Sequence, residues 1–417
     1  MAFSSFSASG ALHQPGFLPF LTARLLGVFA QQMQAVVVAW QVYDLTRDPL
    51  SLAYVGLAQF LPMLLLLMPA GDLSDRMSRK RILAASWGVA ALCAGLLFWI
   101  SAQDVTQVHW IYAVLVLFGC SRAFTGPALQ SLLPQIAARE RLAQALATNN
   151  MLMRTAAIAA PVLGGVLYAL GGGALTYGCA TVALVLAVLM LMCVPLLHAA
   201  PRAAIAGRMW QRFGDGIHFI RSRPIILGTI SLDLFAVLLG GVYALLPIYA
   251  HEVLKVGPEG LGMLRSAMVI GEVAAGLWLS ARPVHRHVGR MMFAAVAVFG
   301  LANLVFALST WFWLSVAALM LAGAADMLSS YIRLTLVQFS TSDHMRGRVN
   351  AVNMLFAGSS NELGDFRAGS SAALLGAVPA AIAGSLCTLA VVGVWMAWFK
   401  PLREVDQLED AAAASKA

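Results

Sequence analysis

Apolar residues run along this chain in long blocks separated by short polar turns. A membrane-spanning helix needs about 20 mostly apolar residues. Twelve blocks meet that length: 17–43, 50–71, 82–101, 108–128, 148–170 and 174–197, then 225–249, 261–281, 291–309, 312–335, 350–370 and 377–399. The longest polar stretch, His198 to Arg223, separates the sixth block from the seventh. Within it, Arg208 to Arg221 sets Trp210, Phe213, Ile217, Phe219 and Ile220 against Arg212, Asp215 and Arg221. That pattern predicts an amphipathic helix lying on the cytoplasmic surface. The expected organisation is a tail over 1–16, a six-helix bundle over 17–197, a linker over 198–224, a second six-helix bundle over 225–399 and a tail over 400–417.

Composition agrees with an all-α membrane protein. The 417 residues are 60% hydrophobic and 11% charged, against about 25% charged in soluble domains. A net charge of +8 could suggest nucleic acid, but the basic residues sit in short loops between apolar blocks, where membrane topology accounts for them. No nucleic-acid partner is expected. Met1 to Gly16 is polar and uncharged, without the basic start of a secretory signal. Cys93, Cys120, Cys179, Cys193 and Cys387 lie inside apolar blocks without CxxC spacing, so each reads as a small buried hydrophobe, with no metal role.

Lys and Arg set an orientation. The loops after the second, fourth, sixth, eighth and tenth blocks carry Arg76, Arg79, Lys80 and Arg81, then Arg139 and Arg141, the linker arginines, Arg282 to Arg290, and Arg346 with Arg348. The opposite face holds Arg47 and Lys255. The asymmetry predicts that both termini are cytoplasmic. Arg139-Glu140-Arg141 after the fourth block is echoed by Arg346-Gly347-Arg348 after the tenth.

Charges inside the blocks are candidate chemistry. They are Arg24, Arg122 and Arg154 in the first half, and Asp233, Arg265, Glu272, Asp326, Arg333, Glu362, Asp365 and Arg367 in the second. Each costs about 2.5–3.5 kcal/mol at mid-membrane on insertion scales. They must therefore face a wet cavity or one another. The distribution suggests an anion held by the first-half arginines and protons handled by second-half carboxylates. The alternatives are that Arg24 and Arg154 snorkel to the interface, that Glu272 pairs with Arg265 two turns away, and that Glu362, Asp365 and Arg367 form a local charge cluster.

Several motifs then narrow the class. Gly71-Asp72-Leu73-Ser74-Asp75-Arg76-Met77-Ser78-Arg79-Lys80-Arg81 closely resembles the loop between the second and third helices of the major facilitator superfamily, with Ser78 where a second Gly is usual. Arg122-Ala123-Phe124-Thr125-Gly126 resembles that family's fourth-helix Arg-x-x-Gln-Gly pattern, with Thr125 in place of Gln. Ala160-Pro161-Val162-Leu163-Gly164-Gly165 resembles an element of proton-coupled exporters, in which Pro161 frees a carbonyl and kinks the helix while Gly164 and Gly165 allow close packing. Leu232 to Leu238, Gly323 to Met327, and Arg346 through Gly369 are similar to the enterobactin-exporter branch.

The resemblance implies two pseudo-symmetric six-helix bundles, with the first, fourth, seventh and tenth helices lining a central cavity. Asp233 and Asp326 would then be proton-coupling candidates, followed by Glu272 and Glu362. Arg24, Arg122 and Arg154 would be substrate-binding candidates. Gly71 would end the second span, and Gly71, Asp75, Arg76, Arg79 and Lys80 would form a conformational latch. In it, Asp75 meets the start of the eleventh helix and Arg79 to Arg81 hold anionic lipid heads. The expected function is secondary active transport: proton-coupled export of a small amphipathic or anionic, siderophore-like compound from a bacterial inner membrane. The protein is expected to be a monomer, with no cofactor and no enzymatic activity. No phosphate-binding Gly-x-x-x-x-Gly-Lys-Ser/Thr loop occurs, so ATP is not the direct energy source. Broad drug efflux is the alternative. An importer, or a non-transporting sensor or scaffold, comes after it.

Overall fold

The structure, a computed structural model, describes residues 16–103, 106–136, 142–195 and 209–407, leaving out side chains at 72, 74–76, 130, 131, 143, 209–212 and 343. Among the described residues all regular structure is helical. The first half contains α1 (Phe17–Thr46), α2 (Pro49–Arg76), α3 (Arg79–Ala102), α4 (Val108–Ile136) and α5 (Leu142–Met192). A connecting helix α6 (Met209–Ser222) follows. Then come α7 (Pro224–Gly240), α8 (Pro258–Ala281), α9 (Val288–Leu308), α10 (Phe312–Phe339), α11 (Asp343–Leu375), α12 (Ala377–Trp398) and the short α13 (Lys400–Arg403).

Ten of the described helices are long and apolar enough to cross a membrane, against twelve predicted blocks. Two physical causes explain the difference. The 51-residue α5 contains the fifth and sixth blocks, joined through Gly171 (φ −150°, ψ 21°) and Gly172 (φ 65°, ψ −164°). Gly172 lies in a region essentially reserved for glycine, so two residues reverse the chain without a loop. The eleventh block lies within α11, a 33-residue helix whose many charges, among them Glu362, Asp365 and Arg367, lower its apolarity.

Other boundaries also differ from expectation. The helix α2 continues past Gly71 to Arg76, while the part of it apolar enough to cross a membrane runs from Pro49 to Gly71, the expected end of the second span. The side chains of Asp75 and Arg76 lie outside the described residues. Arg139 and Arg141 lie outside them too. α11 starts at Asp343, which places the Arg346-Gly347-Arg348 motif inside a helix rather than ahead of one. Pro161 sits within α5 without interrupting it; the non-helical residues of α5 are its two glycines. The two basic residues on the sparse face share a local geometry. Arg47 (φ 53°) and Lys255 (φ 52°) both adopt the left-handed conformation, and a helix beginning with proline, Pro49 or Pro258, follows each.

The chain divides into two compact units. One comprises Met1–Arg47, Leu57–Ile205 and Gly257–Gly262; the other comprises Asp48–Gly56, Ala206–Val256 and Met263–Ala417. In the first, α1 packs along α5, and α3 packs between α4 and α5. Its core gathers Phe17, Phe20, Leu83, Trp87, Leu132 and Leu191. Gly164 lets α5 meet α1 closely, since a Cβ there would lie 2.8 Å from Met33 Cα. At Gly165 the Pro258 carbonyl fills the space of a Cβ. Cys93 is buried, whereas Cys193, just past the end of α5, and Cys387, on α12, are exposed.

Lys80 departs from its expected role on lipid heads. Its Nζ donates to the carbonyl oxygens of Met192 and Val194, at 2.9 and 2.7 Å. It thus satisfies the orphan carbonyls and negative dipole end of α5. Lys80→Met is therefore expected to destabilise the first unit by about 1 kcal/mol, read as a lowered melting temperature in detergent. An unchanged melt would remove the cap.

In the second unit, Leu232, Val288, Met292, Phe293, Ile332 and Leu336 form the main core. α6 takes the predicted amphipathic form, but its apolar face is covered by protein. Ile220, Phe213, Ile217 and Phe219 pack with Ile226, Ile230, Val349 and Val352 of α7 and α11. Asp215 accepts a charge-assisted hydrogen bond from Arg348 Nη1 at 3.0 Å. Burying each such Ile or Phe contributes roughly 1.5–3 kcal/mol, so the face that suggested lipid binding holds α6 on its own bundle.

A candidate coupling site in the second unit

The charges of the second half form two groups. The first joins α7 to α10. Asp233 Oδ2 lies 3.0 Å from Arg333 Nη1, and both side chains are 9% exposed. Arg333 also donates from Nη1 to Asn353 Oδ1 at 3.3 Å and from Nη2 to Ser330 Oγ at 3.0 Å. Asp326, Ser330 and Arg333 follow one another at helical spacing along one face of α10. Asp326 lies within electrostatic reach of Asp233, Glu272 and Arg333. A carboxylate in this setting is held by a guanidinium that is itself held by neutral partners. Asp233 is therefore occupied as an ion-pair partner, while Asp326 is left facing a cavity.

The second group lies where the seventh block breaks. The predicted span 225–249 is not one helix. α7 stops at Gly240, and the chain resumes as a 3₁₀ turn (Tyr243–Leu245), a short α turn (Leu246–Ile248) and a π turn (Tyr249–Val253). Gly240 sits against Thr388, whose Oγ1 donates to the Ala236 carbonyl at 3.0 Å. Backbone groups freed by a break inside a membrane each cost several kcal/mol if left unpaired. Here α11 satisfies them. Arg367 donates from Nε to Leu238 O at 3.1 Å and from Nη2 to Gly241 O at 3.3 Å. The Asp365 carboxylate accepts from the Ala244 N–H. Within the expected local cluster of Glu362, Asp365 and Arg367, the last two thus brace a broken helix. The Arg265 guanidinium lies 5.0 Å from the centre of the Tyr243 ring, a cation–π distance.

A cavity of about 80 Å³ connects the two groups. Its polar lining comes from Gly241, Tyr243, Asn303, Asp326, Asn361 and Asp365. Asn303, on α9, is 1% exposed, and neither its Oδ1 nor its Nδ2 has a hydrogen-bond partner among the described residues. Asn303 and the Arg333–Asn353 contact were missed by the sequence reading. Asn303 left a usable signal, being the one amide inside the apolar run of α9. Asn353 left none.

The first-half arginines are spread out. Arg24 donates from Nη1 to Asn149 Oδ1 at 2.8 Å, which ties α1 to α5. Arg122 Nη1 reaches Gln59 Oε1 at 3.4 Å. Arg154 is exposed. Thr125, the residue standing in for Gln in the fourth-helix motif, bonds Ser86 Oγ at 2.8 Å. With Ser86 Oγ to Ser121 O at 2.6 Å and Ser121 Oγ to Ser86 O at 2.7 Å, it fastens α3 to α4. A hollow of about 480 Å³ in the first unit is an open apolar groove lined by Leu26, Phe98, Leu175, Val182 and Leu186. It carries no charge and suits an acyl chain better than an ionic solute. Among the described residues no three His, Cys, Asp or Glu side chains converge as metal ligands.

Comparison with known proteins agrees with this architecture. Residues 6–416 match the family model described as transmembrane secretion effector. The chain is 28% identical over 348 residues to the enterobactin exporter EntS of Citrobacter koseri, covering 81% of this chain and 80% of that protein. It is 26% identical to EntS of Escherichia coli over the same length and coverage. Among solved structures, the nucleoside transporter NupG superposes with a TM-score of 0.68 at 14% identity, covering 92% of this chain and 99% of NupG. A bacterial homologue of the iron transporter ferroportin, inward-facing, gives 0.69 at 16% identity, covering 93% and 98%. At such identities the two structures speak to the fold alone.

Proposed function

Because this chain belongs to the transmembrane secretion effector family and is a membrane exporter of the major facilitator type, we propose that protons drive it and that its cargo is a small amphipathic or anionic compound of siderophore type. The observation that carries proton coupling is Asp326, an acid on α10 that lines a cavity shared with Asn303, Asn361 and Asp365, beside an ion pair already complete at Asp233 and Arg333. A carboxyl group so placed can exchange a proton with the cavity without breaking the pair. The siderophore class is supported by the name of the relatives, which export enterobactin. The excess of Lys and Arg in alternate loops supports a bacterial inner-membrane protein with both termini in the cytoplasm. Its export direction then runs outward against a proton entering.

Inside-out vesicles provide the test. Uptake of enterobactin should rise when a pH gradient, acid inside, is imposed, and Asp326→Asn should abolish that rise. Asp233→Asn should instead lower the amount of folded protein. Uptake indifferent to the gradient would defeat proton coupling. Gradient-driven uptake at wild-type rate in Asp326→Asn would move the proton to another acid.

A further inference from the structure

We infer that the cavity between α7, α9, α10 and α11 holds bound water organised by Asn303, and that this water passes protons between Asp326 and Asp365. The inference rests on the proton-coupled reading and deepens it. A buried side-chain amide with no partner is rare, because desolvating it costs about 1–3 kcal/mol. Asn303 leaves two such atoms, Oδ1 and Nδ2, at 1% exposure on the wall of a hollow. The hollow sets Tyr243, Asn303, Asp326, Asn361 and Asp365 among apolar side chains, and about 80 Å³ is ample when a single water needs roughly 10–15 Å³. Water bonded to both amide atoms satisfies them together.

The two carboxyls occupy different ends of this space. Asp326 faces Asp233, Glu272 and Arg333. Asp365 faces Glu362, Arg265 and Arg367 and holds the Ala244 N–H. Tyr243, on the same wall, lies near Arg265, Asp365 and Glu272. Among the described residues no hydrogen bond joins the two acids, so a proton moving between them needs an intermediate carrier. In the relay, the Asp326 carboxylic acid gives its proton to the adjacent water. That water, oriented by Asn303, gives up another proton along the file, and the Asp365 carboxylate takes the last one. Asp326 ends as carboxylate, Asp365 as acid, and the water is restored. Asn303 only orients; its amide neither gains nor loses a proton. Once protonated, Asp365 is a weaker acceptor for the Ala244 N–H, so the proton arrives at the break in the seventh span.

Two measurements on the full-length protein decide this. Radiolysis of water in a short X-ray pulse oxidises side chains beside bound water. Met268 and Phe299, which line the cavity, should be labelled in the wild type and protected in Asn303→Leu. Unlabelled Met268 and Phe299 in the wild type would overturn the bound water. In proteoliposomes, gradient-driven enterobactin uptake by Asn303→Leu should fall by about tenfold or more, measured against enterobactin exchange in the same vesicles. Asn303→Ser, which keeps a polar group and adds room, should recover most of it. Driven uptake at wild-type rate in Asn303→Leu would overturn the relay. Uptake that follows a sodium gradient, with choline as the control, would replace the proton by a bound cation. Labelled Met268 and Phe299 combined with gradient-independent uptake would defeat proton coupling and leave the water in place.

Discussion

Arg333→Met is expected to cost about 3–5 kcal/mol, because it strands the buried Asp233 carboxylate without its cation. The two side chains are 9% exposed and 3.0 Å apart. Arg333 also anchors Asn353 and Ser330, so three partners lose a donor at once. The variant should melt many degrees below wild type in detergent and yield little monodisperse protein. Asp233→Leu combined with Arg333→Met should regain most of the loss, since removing both charges removes the stranded one. A single variant that melts like wild type would show that Asp233 is neutral or solvated.

Valine in place of Gly271 or Gly323 is expected to force α8 and α10 apart. A Cβ on Gly271 would meet the Met320 carbonyl, and a Cβ on Gly323 would meet the Met268 carbonyl. Each helix thus contributes a glycine to the other's backbone, the close contact that small residues permit in membranes. Overpacking of this kind costs about 1–3 kcal/mol per site. Met268, Leu319 and Asp326 belong to the same two helices and line the cavity, so the change should also widen it. Thermal unfolding reads the first effect. Increased radiolytic labelling of Met268 in Gly323→Val reads the second. Wild-type melting in both variants would mean that the helices can separate at no cost.

Much of this site could be read from the chain before its fold. An acid or arginine inside an apolar block costs enough to flag itself, which is why Asp233, Asp326, Arg333, Asp365 and Arg367 stood out. Their partners did not, because Asp233 and Arg333 sit on different helices and nothing local couples them. The break after Gly240 was hidden for a related reason. Residues 241–249 are as apolar as those before them, and apolarity alone draws one helix through both. What ends the helix is Thr388 and Arg367 arriving from elsewhere in the chain. The α6 pattern told which face is apolar but not what covers it, since periodicity is the same against lipid or protein. Lys80 shows the converse: a residue counted as topogenic charge also closes a helix end.

The turn at Gly171 and Gly172 bears on how the protein is made. With two residues between them, the fifth and sixth spans leave no segment long enough to wait outside the bilayer while its neighbour crosses. They should enter the membrane as one hairpin, synthesised in full before either half settles. An epitope or glycosylation tag placed at this turn would have to push the hairpin open. The same tag between α3 and α4 would not, so the two sites should differ sharply in how much mature protein accumulates.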